Sequence, residues 1–115
     1  MTLTAVGGAG KTRLAIECAH RIADAFPGGT FFVDLTSVTD DDDVAMTVSA
    51  GIGLTATGRE IAPTRLVEYL GPRRCLLVLD NCEHVLEGAA ALAARLTDRC
   101  PQLALLATSR EALAV

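Results

Sequence analysis

The stretch LTAVGGAGKTRLAIECAHRI, residues 3–22, decides how the chain is read. A short apolar run gives way to three glycines within four residues, then to Lys11, the only lysine, and Thr12. A helical pattern follows: Leu14, Cys18 and Ile22 recur one turn apart, with Ala15 and Ala19 beside them. Residues 3–6 therefore read as a strand and 11–26 as a helix, stopped by Pro27, Gly28 and Gly29. A glycine cluster between a strand and a helix suits phosphate binding. Successive backbone N–H groups can point at one anion only with backbone angles that a Cβ obstructs. The helix behind adds its own free N–H groups and the positive end of its dipole.

On that reading Gly7, Gly8, Ala9 and Gly10 form the cradle, Lys11 reaches the outer phosphates, and the Thr12 hydroxyl ligates Mg²⁺. Arg13, on the first helix turn, is a further candidate for this site, with a surface or partner contact as its alternative. The pattern G-x-x-x-x-G-K-[ST] is met at Gly10, Lys11 and Thr12. It departs at its first position, which is Ala5.

Outward from this stretch, short apolar runs alternate with helical patterns. TFFVDL (30–35) is a second strand. TDDDDVAM (39–46) reads as a helix start, with Thr39 as cap and Asp42 at the capping-box position. Its acids suit the positive end of the helix dipole, and metal binding is the lesser option. Residues 51–63 form a loop, and residues 64–70 a short helix closed by Gly71 and Pro72. CLLVLD (75–80) is a third strand. Val85, Ala89, Leu92 and Leu96 make a helical stripe before Pro101, and LALLATS (103–109) is a fourth strand. Continuous apolar strands separated by helices imply a parallel sheet buried on both faces, an α/β fold in three layers.

A bound Mg-nucleotide needs an acid at the metal. Asp80, after four apolar residues at a strand's carboxyl end, supplies it in the Walker B arrangement. Ligands of open α/β sheets sit at that edge, so residues 6–7 and Asp80 can converge. Hydrolysis also needs a group that orients or deprotonates water. The position after Asp80 is Asn81, which cannot act as a base, so Glu83 is the candidate, with His84 a helix-start residue. Cys82 is a packing residue. Thr108, Ser109 and Arg110 fall at the same edge, where an arginine can sense a γ-phosphate through charge-assisted hydrogen bonds. Asp34, ending the second strand, is a further candidate near the site. The catalytic set is thus Asp80, Glu83 and Arg110, with Thr12 and Asp80 as metal ligands.

Composition narrows the classes. The 115 residues suffice for one domain, residues 1–115. The net charge of -4 offers no basic footprint for nucleic acid, so direct DNA contact by this segment is not expected. No apolar run has the length to span a bilayer, and no secretory signal is visible. Cys18, Cys75, Cys82 and Cys100 lack metal-ligand spacing and read as reduced thiols, which makes a cytoplasmic location the expectation.

The segments LTAVGGAGKTRLAIECA, FFVDL, CLLVLDNCEHVLEGAAALAARL and LALLATSREAL together resemble the NB-ARC/STAND-type P-loop ATPase core. More narrowly they resemble the nucleotide switches of large bacterial AfsR-like and LuxR-type transcriptional regulators. The resemblance implies a three-layer P-loop NTPase core with sheet order 5-1-4-3-2, ATP or ADP bound with Mg²⁺, and slow hydrolysis that resets a switch. By position it assigns the phosphate loop to Gly7 through Thr12, the Mg²⁺ acid to Asp80 and the sensor to Arg110. The chain ends at Val115, just after that last segment, so the expectation is a fragment lacking the fifth strand, with order 1-4-3-2 remaining. Its partners would be the nucleotide and the other domains of a larger regulator, or a second chain at the open sheet edge. Three alternatives stand beside this reading. One is a degenerate remnant that no longer binds nucleotide. The others are a GTPase, for which the N-K-x-D segment is absent, and a small kinase, for which the chain is short of a lid and acceptor pocket.

Overall fold

A computed structural model describes residues 2–6, 11–54 and 58–109 of the chain, and only the backbone of residues 2–6, 11, 12, 14, 15 and 109. The elements run β1 (Thr2–Val6), α1 (Lys11–Ile22), β2 (Thr30–Asp34), α2 (Val44–Gly51), α3 (Ala62–Leu70), β3 (Leu76–Asp80), α4 (Leu86–Arg99) and β4 (Ala104–Ser109). All pairings among the described strands are parallel, in the order β1-β4-β3-β2.

Alternation along each strand sorts the core onto two faces. Leu77, Leu79, Leu105 and Ala107 point to one, where they meet Val48 of α2, Leu66 and Leu70 of α3, and Ala89, Leu92 and Leu96 of α4. Leu76, Val78, Ala104 and Leu106 point to the other, against Ala19 of α1 with Cys18, Ile22 and Phe26 at its margin. The sheet is therefore the middle of three layers. Every residue of β3 is buried, as its unbroken apolar run requires. Burying one such leucine contributes about 1.5–3 kcal/mol.

β2 departs from that pattern. Its run looks as apolar as that of β3, yet it is an outer strand with only Val33 buried, and Phe32 is 39% exposed. Apolar character alone does not distinguish a central strand from an edge strand.

Two helix ends also differ from the periodicity. The first helix stops at Ile22, and a 3-10 turn, Ala23–Ala25, carries the chain to Phe26, whose N–H donates to Ala23 O at 3.0 Å. The tight passage that follows is held by Gly28 N–H donating to Arg74 O at 2.8 Å, where a Cβ on Gly28 would lie 2.7 Å from that oxygen. In the acidic run the cap is Asp40, not Thr39. The Asp40 carboxylate accepts from Asp42 N–H at 2.9 Å and starts a 3-10 turn, Asp41–Asp43, ahead of α2. Adjacent aspartates offer nearly equivalent caps. Tertiary contacts described below select among them.

At the sheet's amino edge, burial pushes the Cys75 and Cys100 thiols above the usual range, Cys75 further through its neighbour Cys100. Both are free thiols packed in the core.

Candidate functional site

The register places the chemistry-bearing positions along one edge. Val6 pairs with Ser109, Leu79 with Ala107, and Asp34 with Asp80, so all four strands deliver their carboxyl ends to the same side. The first helix, α1, starts at Lys11 and packs on β3 and β4. One strand, β4, separates β1 from β3, so Val6 and Asp80 stand about 10 Å apart, two strand spacings.

Asp80 is 1% exposed at the end of β3. Thr108, fully buried on β4, donates its hydroxyl to Asp80 Oδ1. The same hydroxyl accepts from the backbone N–H of Asn81 at 3.0 Å. Asn81 turns the chain sharply: its φ of 61° and ψ of 54° are left-handed, a region that asparagine tolerates better than most non-glycine residues. That turn carries its carboxamide back over the strand ends. Asn81 Nδ2 donates to Asp80 Oδ2 at 3.0 Å and to Asp34 Oδ1 at 3.1 Å. Only the NH₂ end of an amide can face two carboxylates, so chemistry fixes its orientation. Asp34 in turn accepts from the N–H and hydroxyl of Thr36, at 2.9 and 2.5 Å, which closes the turn after β2.

Glu83 lies half-buried in a 3-10 turn, Cys82–His84, directly beyond Asn81, with its Oε2 shielded from solvent. His84 is exposed, and buried Cys82 turns its Sγ toward Leu79 O at 3.5 Å. Arg13 faces solvent and pairs with Glu17 at 3.5 Å, one helical turn on. Gly7, Gly8, Ala9, Gly10 and Arg110 lie outside the described residues. Lys11 and Thr12 open α1, and their side chains lie outside them as well. The structure thus brings Asp80, Glu83 and the start of α1 to one edge. It adds Asn81 and Thr108, which the sequence marked only as neighbours. A polar residue after a strand-end acid, in a chain with a second strand-end acid, was the available signal.

The donor set fits Mg²⁺ in one way and not in another. Among the described residues no group of three or more His, Cys, Asp or Glu side chains could hold a metal by itself. Mg²⁺, however, is usually held by one or two carboxylates together with substrate phosphates, not by an all-protein cage. A buried carboxylate kept in place by two neutral donors, Thr108 and Asn81, suits that mode.

The acidic run 40–43 is arranged differently. Arg59 contacts Asp43 at 2.7 Å, Asp40 at 3.4 Å and Asp42 at 3.9 Å. The hydrogen bond and charge of Asp43, followed by the charge of Asp40, raise the Arg59 guanidinium above its usual pKa. Asp41 instead accepts from Gly88 N–H at 2.8 Å and so caps the first turn of α4 from a distance in sequence.

No protein-family model matches the chain. A Mycobacterium tuberculosis protein provisionally named an HTH-type transcriptional regulator is 45% identical over 111 residues, 96% of this chain and 12% of that protein. An uncharacterized M. tuberculosis protein is 41% identical over 113 residues, 98% of this chain and 29% of that protein. The regulatory protein AfsR of Streptomyces coelicolor is 34% identical over 112 residues, 88% of this chain and 11% of AfsR. The chain thus spans less than a third of each of these relatives.

Among solved structures, the ORC1 protein of Aeropyrum pernix in complex with DNA matches with a TM-score of 0.67 and 22% identity, over 97% of this chain and 33% of that one. Cdc6p from Pyrobaculum aerophilum matches with a TM-score of 0.66 and 18% identity, over 96% and 32%. The ORC2 protein of A. pernix, solved as ADPNP and ADP complexes, matches with a TM-score of 0.64 and 16% identity, over 96% and 34%. These likenesses establish a shared α/β fold with a parallel sheet. No helix among the described residues is long and apolar enough to cross a membrane.

Proposed function

We propose that the chain is the ATP/ADP-binding switch module of a P-loop ATPase of NB-ARC/STAND type, a part of a larger bacterial transcriptional regulator. One observation carries the reading. The strand that ends at Val6, just before GGAGKT, finishes on the same sheet edge as buried Asp80, with one strand between them. That is the spacing at which a phosphate cradle and a metal-holding carboxylate can share one ligand. Two findings support it from outside the site: the relatives named as regulators, and the fold shared with a protein solved with ADP and ADPNP.

In this reading the N–H groups of Gly7, Gly8, Ala9 and Gly10 and the ammonium of Lys11 bind the phosphates, and Thr12 and Asp80 hold Mg²⁺. Bound Mg²⁺ would neutralise charge on the phosphate oxygens. Glu83 orients water, and Arg110 reads the γ-phosphate. Asn81 in the place of an acid beside Asp80 argues for slow hydrolysis at most, and therefore for a switch. The remaining domains of the regulator are the natural partners. The strand β1, outermost among the described strands, is a second candidate surface, for self-association, and a cytoplasmic location follows from the regulatory role.

The test is binding of Mg-ADP and Mg-ATP to the chain, followed by thermal unfolding. Ligand at 100-fold above Kd stabilises a folded protein by about 2.7 kcal/mol. We expect that stabilisation in the wild type and its loss in Lys11→Ala. An unshifted wild type would favour the remnant reading, and an equal shift in Lys11→Ala would move the site elsewhere.

A further inference from the structure

We propose that Asn81 is a positioning residue that ties the carboxylates of Asp34 and Asp80 into one unit, and that this tie sets how strongly Mg²⁺ enhances nucleotide binding. The inference rests on the nucleotide-binding reading above. It assigns a purpose to the residue that occupies the place of an acid, and it brings the end of the outer strand β2 into the site.

Asp34 and Asp80 are register partners on adjacent parallel strands, so their backbones stand about 4.8 Å apart. Two carboxylates at that spacing repel and swing apart unless something holds them. Asn81 Nδ2 spends one hydrogen on each, at 3.1 Å and 3.0 Å. Thr108 holds the other oxygen of Asp80, and Thr36 donates its N–H and hydroxyl to the same Asp34 oxygen that Asn81 holds. These contacts run from β2 across β3 to β4, and the donors in them are neutral. Neutral donors fix a carboxylate without cancelling its charge, which is what a metal-binding oxygen requires. Partners of this outer-shell kind orient a ligand, and their loss typically costs 10–100-fold in metal affinity.

The backbone offers a competing account of the same residue. The left-handed conformation of Asn81 would by itself favour asparagine, aspartate or glycine, whatever the side chain does. Two substitutions separate the accounts. Asn81→Gly accepts the left-handed turn and removes the carboxamide. Asn81→Asp also tolerates the turn and nearly matches the side chain's shape, but it replaces the shared donor with a third negative charge.

The measurement is the ratio of ADP affinities with and without Mg²⁺, by calorimetric titration of the full chain, with a melting curve on each variant to show that it is folded. We expect the ratio to fall about tenfold or more in Asn81→Gly, and to differ from the wild type in Asn81→Asp, where the shared donor is lost and a third charge is added. We expect Asp34→Ala to lower it too, and the double variant Asn81→Gly/Asp34→Ala to be no worse than Asn81→Gly alone, because both act through one bridge. Folded variants with the wild-type ratio would overturn the tie and leave nucleotide binding standing. A strictly additive double variant would also overturn it. A wild type that binds no ADP in either condition would overturn both readings together.

Discussion

Two acidic regions of this molecule look alike in the sequence and behave differently in the fold. The run 40–43 packs four aspartates into four positions, whereas the strand-end pair, Asp34 and Asp80, is scattered 46 residues apart in sequence. The run sits in solvent and is met by a guanidinium that the chain itself provides, Arg59. The pair is brought together by strand register, and its Asp80 is buried. There a carboxamide shared by both acids and a hydroxyl on Asp80 act as neutral donors. Charge density along a sequence thus says little about where a cation is wanted. A run that draws in its own arginine has become structure. An acid buried at a strand end is oriented there by the carboxamide and the hydroxyl that register brings to it.

The largest effect that could break this contrast lies in metal-dependent binding. We expect Asp80→Asn to remove the Mg²⁺-dependent part of ADP affinity, a loss of roughly 100-fold, the upper end of the range for altered metal surroundings. Asp42→Asn, in the run, should leave that affinity unchanged. Titration of both variants with ADP, in Mg²⁺ and in chelator, compares the regions directly. Equal losses would mean that the acidic run belongs to the site after all.

A smaller effect, on stability, probes what the run does instead. Gly88 lies in the first turn of α4, where a Cβ would stand 2.5 Å from the backbone oxygen of Asp41 and 2.8 Å from its Cα. Alanine in a helix ordinarily gains about 1 kcal/mol over glycine. Here the turn bearing the acids would have to move, and the Asp41 cap on Gly88 N–H would stretch. Overpacking of this kind costs about 1–3 kcal/mol, so Gly88→Ala should lower the urea midpoint. Gly58→Ala, with open space around its Cβ, should lie within about 0.5 kcal/mol of the wild type. A stabilised Gly88→Ala would show that the run is not docked on α4.

The same contrast explains what could be read in advance. The β3 and β4 runs and the stripe Val85, Ala89, Leu92 and Leu96 were legible because burial imposes a period on a single segment, and those residues are buried. The position of Asp80 at a strand end was legible for the same reason. The cap at Asp40 was not, because its choice over Thr39 depends on Arg59 and Gly88, which lie 19 and 48 residues further on. The exposure of Phe32 and the bridge through Asn81 were hidden for a related reason. Both follow from which strand lies outermost and in what register, and no local pattern in TFFVDL or LDN encodes either. Local order was written in the sequence, while contacts between segments had to be seen.

The smallest expected effect tests the arginine that distinguishes the run. Arg59 and its three partners are half or more exposed, except Asp43 at 40%, so water and salt reach the whole cluster. Exposed ion pairs contribute little to stability, and what they contribute is electrostatic. Arg59→Gln should therefore lower the melting temperature slightly in dilute buffer. The difference should shrink toward nothing near 1 M salt, where the screening length falls to about 3 Å, comparable with the 2.7 Å contact to Asp43. A deficit that persists at high salt would mean that Arg59 acts through packing of its stem on the helices instead of through charge. The run would then be held by shape, and its resemblance to a neutralised cation site would be incidental.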